Sequence, residues 1–316
     1  RALEGRKIAT YKASRTQLAS DATAEDAFRA TLSHCLRHIA RNVAAVAEAR
    51  NPEGVHQLRV GLRRLRVALA ACGPAFRTPA IEALRDRAKT LSSLFGHTRE
   101  LDVFADELLA PVEQSSNKPG LAQMRLILDE LRRQSWDETV ALVRSNDFTG
   151  FVLDLAAVVE MRPWREGAEP ERLSDLLRPA RELARETLAA CLKKAHKRAK
   201  NLAKLDTEER HALRIALKKL RYTAEFFAPL FPAKSVTPFL QRLSKLQDLF
   251  GALNDAATAQ HILARVAEHQ GAAGGEPLLE AIAFVEGWHQ SRIEPTWASA
   301  KKRWKKFAKT EPFWAL

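Results

Sequence analysis

The chain has little with which to build a covalent framework. Its three cysteines, Cys35, Cys72 and Cys191, are odd in number, widely spaced and free of any C-x-x-C pair, so they read as reduced cytosolic thiols and not as disulfide partners. No uninterrupted apolar run approaches the ~18 to 20 residues of a membrane span, and the first twenty residues lack the charged-then-apolar order of a signal peptide. A soluble, cytoplasmic protein with no membrane partner is expected. Runs of β-branched residues are scarce, which disfavours a sheet protein. The chain opens at Arg1 rather than methionine, and so reads as a piece of something longer.

What is abundant is positive charge and helical periodicity. Lys+Arg number 51 against 38 Asp+Glu, a formal net charge of +13 over 316 residues, which favours an anionic partner without choosing among nucleic acid, membrane and inorganic polyanion. Apolar residues recur at helical spacing almost throughout, so an all-α chain is expected. The spacing predicts helices at 22–48, 52–72, 79–96, 98–109, 120–145, 147–161, 172–203, 207–228, 238–250, 252–268 and 277–308. Asn51-Pro52, Thr78-Pro79 and Thr237-Pro238 each offer an N-cap acceptor followed by proline at N1, and Asp206 with Glu209 forms a capping-box pattern. Loops are expected around Gly73-Pro74, Pro119-Gly120, Pro163 to Pro170, Pro229 to Pro232 and Gly271 to Gly275.

One pattern repeats. His56, Arg59, Arg63 and Arg66 recur as His211, Arg214, Lys218 and Arg221, displaced by a constant 155 residues. At about 100° per residue, each set falls within an arc of about 80° and makes one cationic stripe led by a histidine. Asn51 and Asp206, Phe95-Gly96 and Phe250-Gly251, and Arg99-Glu100 and Asn254-Asp255 keep the same offset. The repeat therefore predicts a duplicated unit, each an antiparallel four-helix bundle, with residues 1–20 as a linker or tail, bundles at 21–168 and 169–316, and the seam near 163–171.

Each stripe borders an apolar one, Leu58, Leu62, Leu65 and Leu69 in the first helix and Leu213, Leu217 and Leu220 in the second. Four cations beside core surface are costly unless an anion neutralises them. Their repeat of one turn, about 5.4 Å, suits a narrow chain of phosphates. Duplex DNA wraps its phosphates around a wide cylinder, and single strands recruit aromatic rings for stacking; Tyr222 is the only aromatic beside either stripe, so a nucleic-acid partner is disfavoured. The preceding helices carry basic faces of their own, Arg37 and Arg41 with His34 and His38 in the first, Lys193, Lys194, Lys197 and Lys200 in the second. Between Lys193 and Lys204 stand six Lys/Arg and no acid.

V-H-Q-L-R-V-G-L-R-R-L-R at 55–66, R-H-A-L-R-I-A-L-K-K-L-R-Y at 210–222, L-F-G-H-T-R-E-L-D-V at 94–103 and L-F-G-A-L-N-D at 249–255 closely resemble the CHAD family, the conserved histidine α-helical domain. The resemblance spans about 21–316, including Pro-Phe-Trp at 312–314. It implies two four-helix bundles related by pseudo-two-fold symmetry, a basic central groove or pore, binding of inorganic polyphosphate and association with polyphosphate granules. Carried over by position, the ligand-facing residues are His56, Arg59, Arg63 and Arg66 in the first half and His211, Arg214, Lys218 and Arg221 in the second; Arg37, Arg41, Lys193 and Lys197 extend the set from their basic faces alone. Glu100 departs from the aspartate usual in relatives. Many relatives carry an upstream CYTH triphosphatase domain with an E-x-E-x-K signature, which these residues lack.

No nucleophile–base constellation or paired carboxylate lies in the stripes, so a non-catalytic binder without cofactor or metal is expected. The alternatives are an accessory, substrate-delivery part of a CYTH triphosphatase or polyphosphate hydrolase, and a nucleic-acid-binding protein. His34, Cys35 and His38 form an incomplete zinc-like set. Arg99, Glu100, Asp102, Asn254 and Asp255 read as caps and ion pairs, Lys301, Lys302, Arg303, Lys305 and Lys306 as complements of a helix dipole, and Trp297, Trp304, Phe307, Phe313 and Trp314 as packing anchors.

Overall fold

The computed structural model describes residues 8–270 and 275–315. They are nearly all helical. The first half runs through α1 (Ala24–Ala47), α2 (Pro52–Ala71) and α3 (Pro79–Val103), then a π-helical stretch, Phe104–Leu109, leading into α4 (Ala110–Ser115), α5 (Pro119–Val143) and α6 (Asn146–Met161). The second comprises α7 (Pro170–Leu177), α8 (Ala180–Arg198), α9 (Thr207–Phe227), α10 (Ala233–Gln270), α11 (Gly275–Gln290) and α12 (Ile293–Phe307). No β-strand occurs among the described residues, only one isolated bridge.

Local chemistry explains most boundaries. Asn51 accepts from the Glu53 amide and Thr78 from the Ile81 amide, each before a proline at N1. Asp206 and Glu209 close the expected capping box at α9, and Thr23 with Asp26 makes another at α1 that the sequence reading missed. The expected break after Phe95-Gly96 is absent, and so is that at Phe250-Gly251: a lone glycine costs about 1 kcal/mol in a helix, which the buried Phe95, Thr98 and Leu101 of α3, and Phe250 of α10, outweigh. Thr237 is no cap. Pro232 ends the preceding loop, the Ser235 and Val236 amides bond its carbonyl, and Pro238 sits inside α10. The stretch 172–203 divides at Arg178, pushed to extended geometry by Pro179, and 277–308 divides at 291–292 because Pro295 cannot continue a helix through that turn. The loop expected from Gly271 falls outside the described residues as far as Gly274.

The two halves share their apolar packing. One core joins Leu32, Leu58, Leu62 and Phe95 of the first half to Leu188, Leu213, Leu217 and Phe250 of the second. A smaller one joins Leu101, Phe104, Met124 and Leu128 to Ile262, Val266, Leu278 and Val285. α1 lies against α8 and α2 against α9. The starts of α1 and α8 are tied by an antiparallel bridge at Thr23 and Pro179, with Ala24 N–H donating to Arg178 O and Ala180 N–H to Ala22 O, both at 2.8 Å. The region read as a seam is anchored: Trp164 is fully buried against Phe28 and Phe76, and its indole N–H donates to Glu25 at 2.7 Å. Of the expected tail at 1–20, residues 1–7 lie outside the described residues; Tyr11 is docked on α1, exchanging two 2.9 Å hydrogen bonds with buried Asn42.

Candidate functional site

α2 and α9 stand side by side because one face of each is core. Val55, Leu58, Leu62 and Leu65, like Leu213, Leu217 and Leu220, are fully buried. At Gly61 a side chain would bring a Cβ within 2.7 Å of Ile39 on α1, so glycine sets how closely α2 is held. The basic stripes then fall next to the core at partial exposure, as the spacing predicted.

All eight tetrad residues line one cavity of about 1190 Å³. Its remaining wall comes from α3, the π-helical stretch and α10, including Arg85, Arg99, Glu100, Glu107, Asn254 and Asp255. Arg59 donates to the Gly96 carbonyl at 3.1 Å and lies 3.8 Å from the Glu100 carboxylate. Arg99 pairs with Glu107 at 2.8 Å. The His211 ring shares a 3.0 Å hydrogen bond between Nδ1 and the Asn254 side-chain oxygen, and Asn254 donates onward to Thr258 at 3.2 Å.

The electrostatics record the crowding of like charge. Burial, reinforced by Arg63 and then by Arg214, Arg221 and Arg59, pulls the Lys218 ammonium down to about 6. Burial and Arg63 lower Arg59 to about 10, and the same two causes depress Arg66 and Arg214. His56 is depressed by burial and by Arg99. Arg63 thus acts on cations of both helices. In the opposite direction, burial raises the Asp255 carboxyl, with Glu107 adding to the effect and Arg214 opposing it. The buried Nε atoms of Arg59 and Arg214 have no hydrogen-bond partner, so burial of these guanidiniums is incompletely compensated.

A second layer fixes the wall. Arg64, one position off the stripe, is buried, ion-paired with Glu225 of α9, and stacked near the rings of Phe226 at 4.9 Å and Tyr222 at 5.6 Å. Glu225 also holds Arg221 at 3.3 Å. Through this carboxylate the two helices hold each other and one cavity-lining arginine.

Several sequence-based assignments need correction. Arg37, Arg41, Lys193 and Lys197 do not line the cavity; all four are exposed on α1 and α8, and Arg41 stacks on Tyr11 at 3.7 Å. His34 and His38 are buried rather than part of a basic face, His38 bonding Gln57 at 2.9 Å. Burial and Arg64 pull His34 down to about 4. Arg99, Glu100, Asn254 and Asp255 sit within α3 and α10 and cap nothing; the ion pairing expected of them is present at Arg99 and Glu100. Asp102 holds Arg132 at 3.0 Å from the end of α3. Arg77, Arg85, Lys219, Glu107 and Asp248 line the cavity without having been singled out. They come from separate elements, and only the 155-residue correspondence of Glu100 with Asp255 hinted at an acidic wall.

A model of the CHAD domain matches residues 30–264, about three quarters of the chain. The chain belongs to the CHAD family. It is similar to the crystal structure of the CHAD domain from the plant Ricinus communis, with a TM-score of 0.82 and 28% sequence identity over 96% of this chain and 98% of that one. PptA from Streptomyces chartreusis has a TM-score of 0.68 at 15% identity, covering 90% of this chain and 100% of that one, a likeness of fold alone. No curated protein sequence matches. Among the described residues of this CHAD chain, no helix is long and apolar enough to cross a membrane.

Proposed function

We propose that this CHAD chain binds inorganic polyphosphate, without turning it over, in the cavity between α2 and α9. The ligand-facing residues are His56, Arg59, Arg63, Arg66, His211, Arg214, Lys218 and Arg221. The carrying observation is the convergence of both tetrads on one cavity lined by ten Lys/Arg and four Asp/Glu, where burial and then the excess of like charge depress Lys218. Only an anion offering many acceptors relieves that repulsion, and phosphate oxygens accept charge-assisted hydrogen bonds from Arg, Lys and His. The halves are read as repeats about a pseudo-two-fold axis, a reading supported by the antiparallel bridge between Thr23 and Pro179, the N-cap residues of α1 and α8. The cavity is then a basic central groove shared by both.

Base stacking would need exposed rings, whereas Tyr222, the only aromatic lining residue, is buried. Nucleic acid is the weaker reading. In the cell the ligand would place the protein in the cytoplasm at polyphosphate granules. The test is labelled polyphosphate titrated by fluorescence anisotropy, with RNA as competitor at fixed salt and phosphate release followed with Mg²⁺ or Mn²⁺. Saturable binding that RNA displaces poorly, with no release, is expected. Release of phosphate would replace the binder with an enzyme, and stronger competition by RNA would replace the ligand.

A further inference from the structure

Ten of the lysines outside the cavity fall in two short stretches that form a surface of their own. Residues 193–204 and 301–309 each hold six Lys/Arg and no Asp/Glu, nearly the whole formal excess of the chain. They come together in space: the His196 ring of α8 meets the Trp304 ring of α12 at 5.4 Å. Lys197, Lys200, Lys302 and Lys305 are exposed around this contact, and no ion pair involves either stretch among the described residues. A helix dipole rewards cations in the last turn only. Beyond it, like charges four apart, such as Lys193 with Lys197 and Lys301 with Lys305, oppose the helix. Buried Trp297, Trp304 and Phe307 hold the face in place despite that repulsion.

The face also continues from the cavity. Lys219 lines the cavity on α9, and the buried Cys191 of α8, 3.9 Å from Thr223 of α9, feels both Lys219 and Lys194. Lysines therefore follow one another from the cavity wall on α9 to α8 and, through the His196–Trp304 contact, to α12. The chemistry changes along the way. The tetrads are mostly arginine, fixed and partly buried, whereas ten of the twelve outer cations are lysine, compact charges on flexible stems that grip phosphate without fixed geometry. The rings of this region are buried, leaving none for bases to stack on.

From this continuity we infer that the α8–α12 face is an outer track for the part of a long polyphosphate chain that extends beyond the cavity. The inference rests on the proposed cavity ligand, and chain length separates the two. Wild type, Arg63→Glu and the combined Lys197→Glu, Lys200→Glu, Lys302→Glu, Lys305→Glu variant are titrated with short polyphosphate that the cavity can hold and with chains many times longer. At physiological ionic strength charges more than about 8 Å apart are largely screened, so the outer variant keeps short-chain affinity within about twofold. It loses at least about fivefold for long chains, with a shallower dependence of affinity on salt. Unchanged long-chain affinity and salt slope overturn the track, as does equal weakening for both lengths. RNA or anionic vesicles that bind wild type better than long polyphosphate, and lose that binding in the outer variant, assign the face to them instead. Short-chain binding that survives Arg63→Glu overturns the cavity reading and leaves the long-chain comparison to be read by itself.

Discussion

The α2 and α9 sides of the cavity carry the same tetrad and differ in what stands opposite. Beside His56 is Arg99; at the corresponding place beside His211 is Asn254, which bonds the ring at 3.0 Å. Arg59 has Glu100 at 3.8 Å, whereas Arg214 faces Asp255, whose carboxyl burial raises. Where the first stripe has Arg63, the second has Lys218, an ammonium that burial and the surrounding arginines pull down to about 6. The donors match on the two sides and the surroundings differ. The first side reads as a permanent anchor and the second as a wall whose charge follows pH and ligand.

The largest effect should come from Arg63, because it acts on His56, Arg59, Arg66, Arg214 and Lys218 together. Arg63→Glu is expected to raise the polyphosphate Kd by at least about tenfold, or about 1.4 kcal/mol, with unchanged helical circular dichroism. Lys218→Glu should approach that loss. A biphasic isotherm in either variant, with half the capacity retained, would mean two independent sides and not one groove.

Next comes the carboxylate that couples them. Glu225→Gln leaves the Arg64 guanidinium buried without its counter-charge, and removing one partner of such a pair is strongly destabilising. Since Glu225 is partly exposed, the expected loss is about 1–3 kcal/mol in urea unfolding. Added polyphosphate should recover part of it by binding the folded state. A variant as stable as wild type would remove Glu225 from the coupling.

A smaller effect concerns protons. Burial, with Arg63 and Arg59 of α2 and Arg214 and Arg221 of α9, holds Lys218 at about 6, and Asp255 of α10 also faces it. A bound phosphate chain favours the ammonium and raises that value. From about pH 6 up to the bound value, the complex holds more protons than the free protein, so affinity rises as pH falls through that window and levels off below it. His56, also depressed when free, adds to the acid end. Titrations at constant ionic strength in buffers of different ionisation enthalpy measure the uptake. Lys218→Arg should flatten the response above neutrality, and the double replacement of His56 and His211 by Gln should flatten the rest. A full wild-type slope in both variants would assign the titration elsewhere. The smallest change is Arg99→Asn, which gives His56 the neighbour His211 has. It should raise the His56 pKa, followed by NMR, and alter affinity by only about two- to threefold, a fraction of a kcal/mol.

The features legible in sequence were those written in local spacing. Both tetrads, their apolar neighbours, the caps at Asn51, Thr78 and Asp206, and the helical class depend on residues within a few positions of one another. Much of what failed depended on partners elsewhere in the fold. His34 and His38 share the period of Arg37 and Arg41 but are buried, which periodicity alone does not distinguish from a solvated basic face. Glu107 meets Arg99 across a π-helical stretch that no residue pattern announced. Helices merged at Gly96 and Gly251 because burial outweighed a weak local penalty, and divided near Pro179 and Pro295 where proline's hard constraint was overlooked.

The smaller core also bears on how the protein is made. Leu101, Phe104, Met124 and Leu128 are covered by Ile262, Val266, Leu278 and Val285, and at Gly120 a Cβ would lie 1.9 Å from the Pro277 carbonyl. A ribosome adding about 5–20 residues per second leaves the earlier apolar surface waiting about 7 to 30 seconds for the later one. The nascent chain must cross that interval with a hydrophobic face open, at the stage when a chaperone would find it.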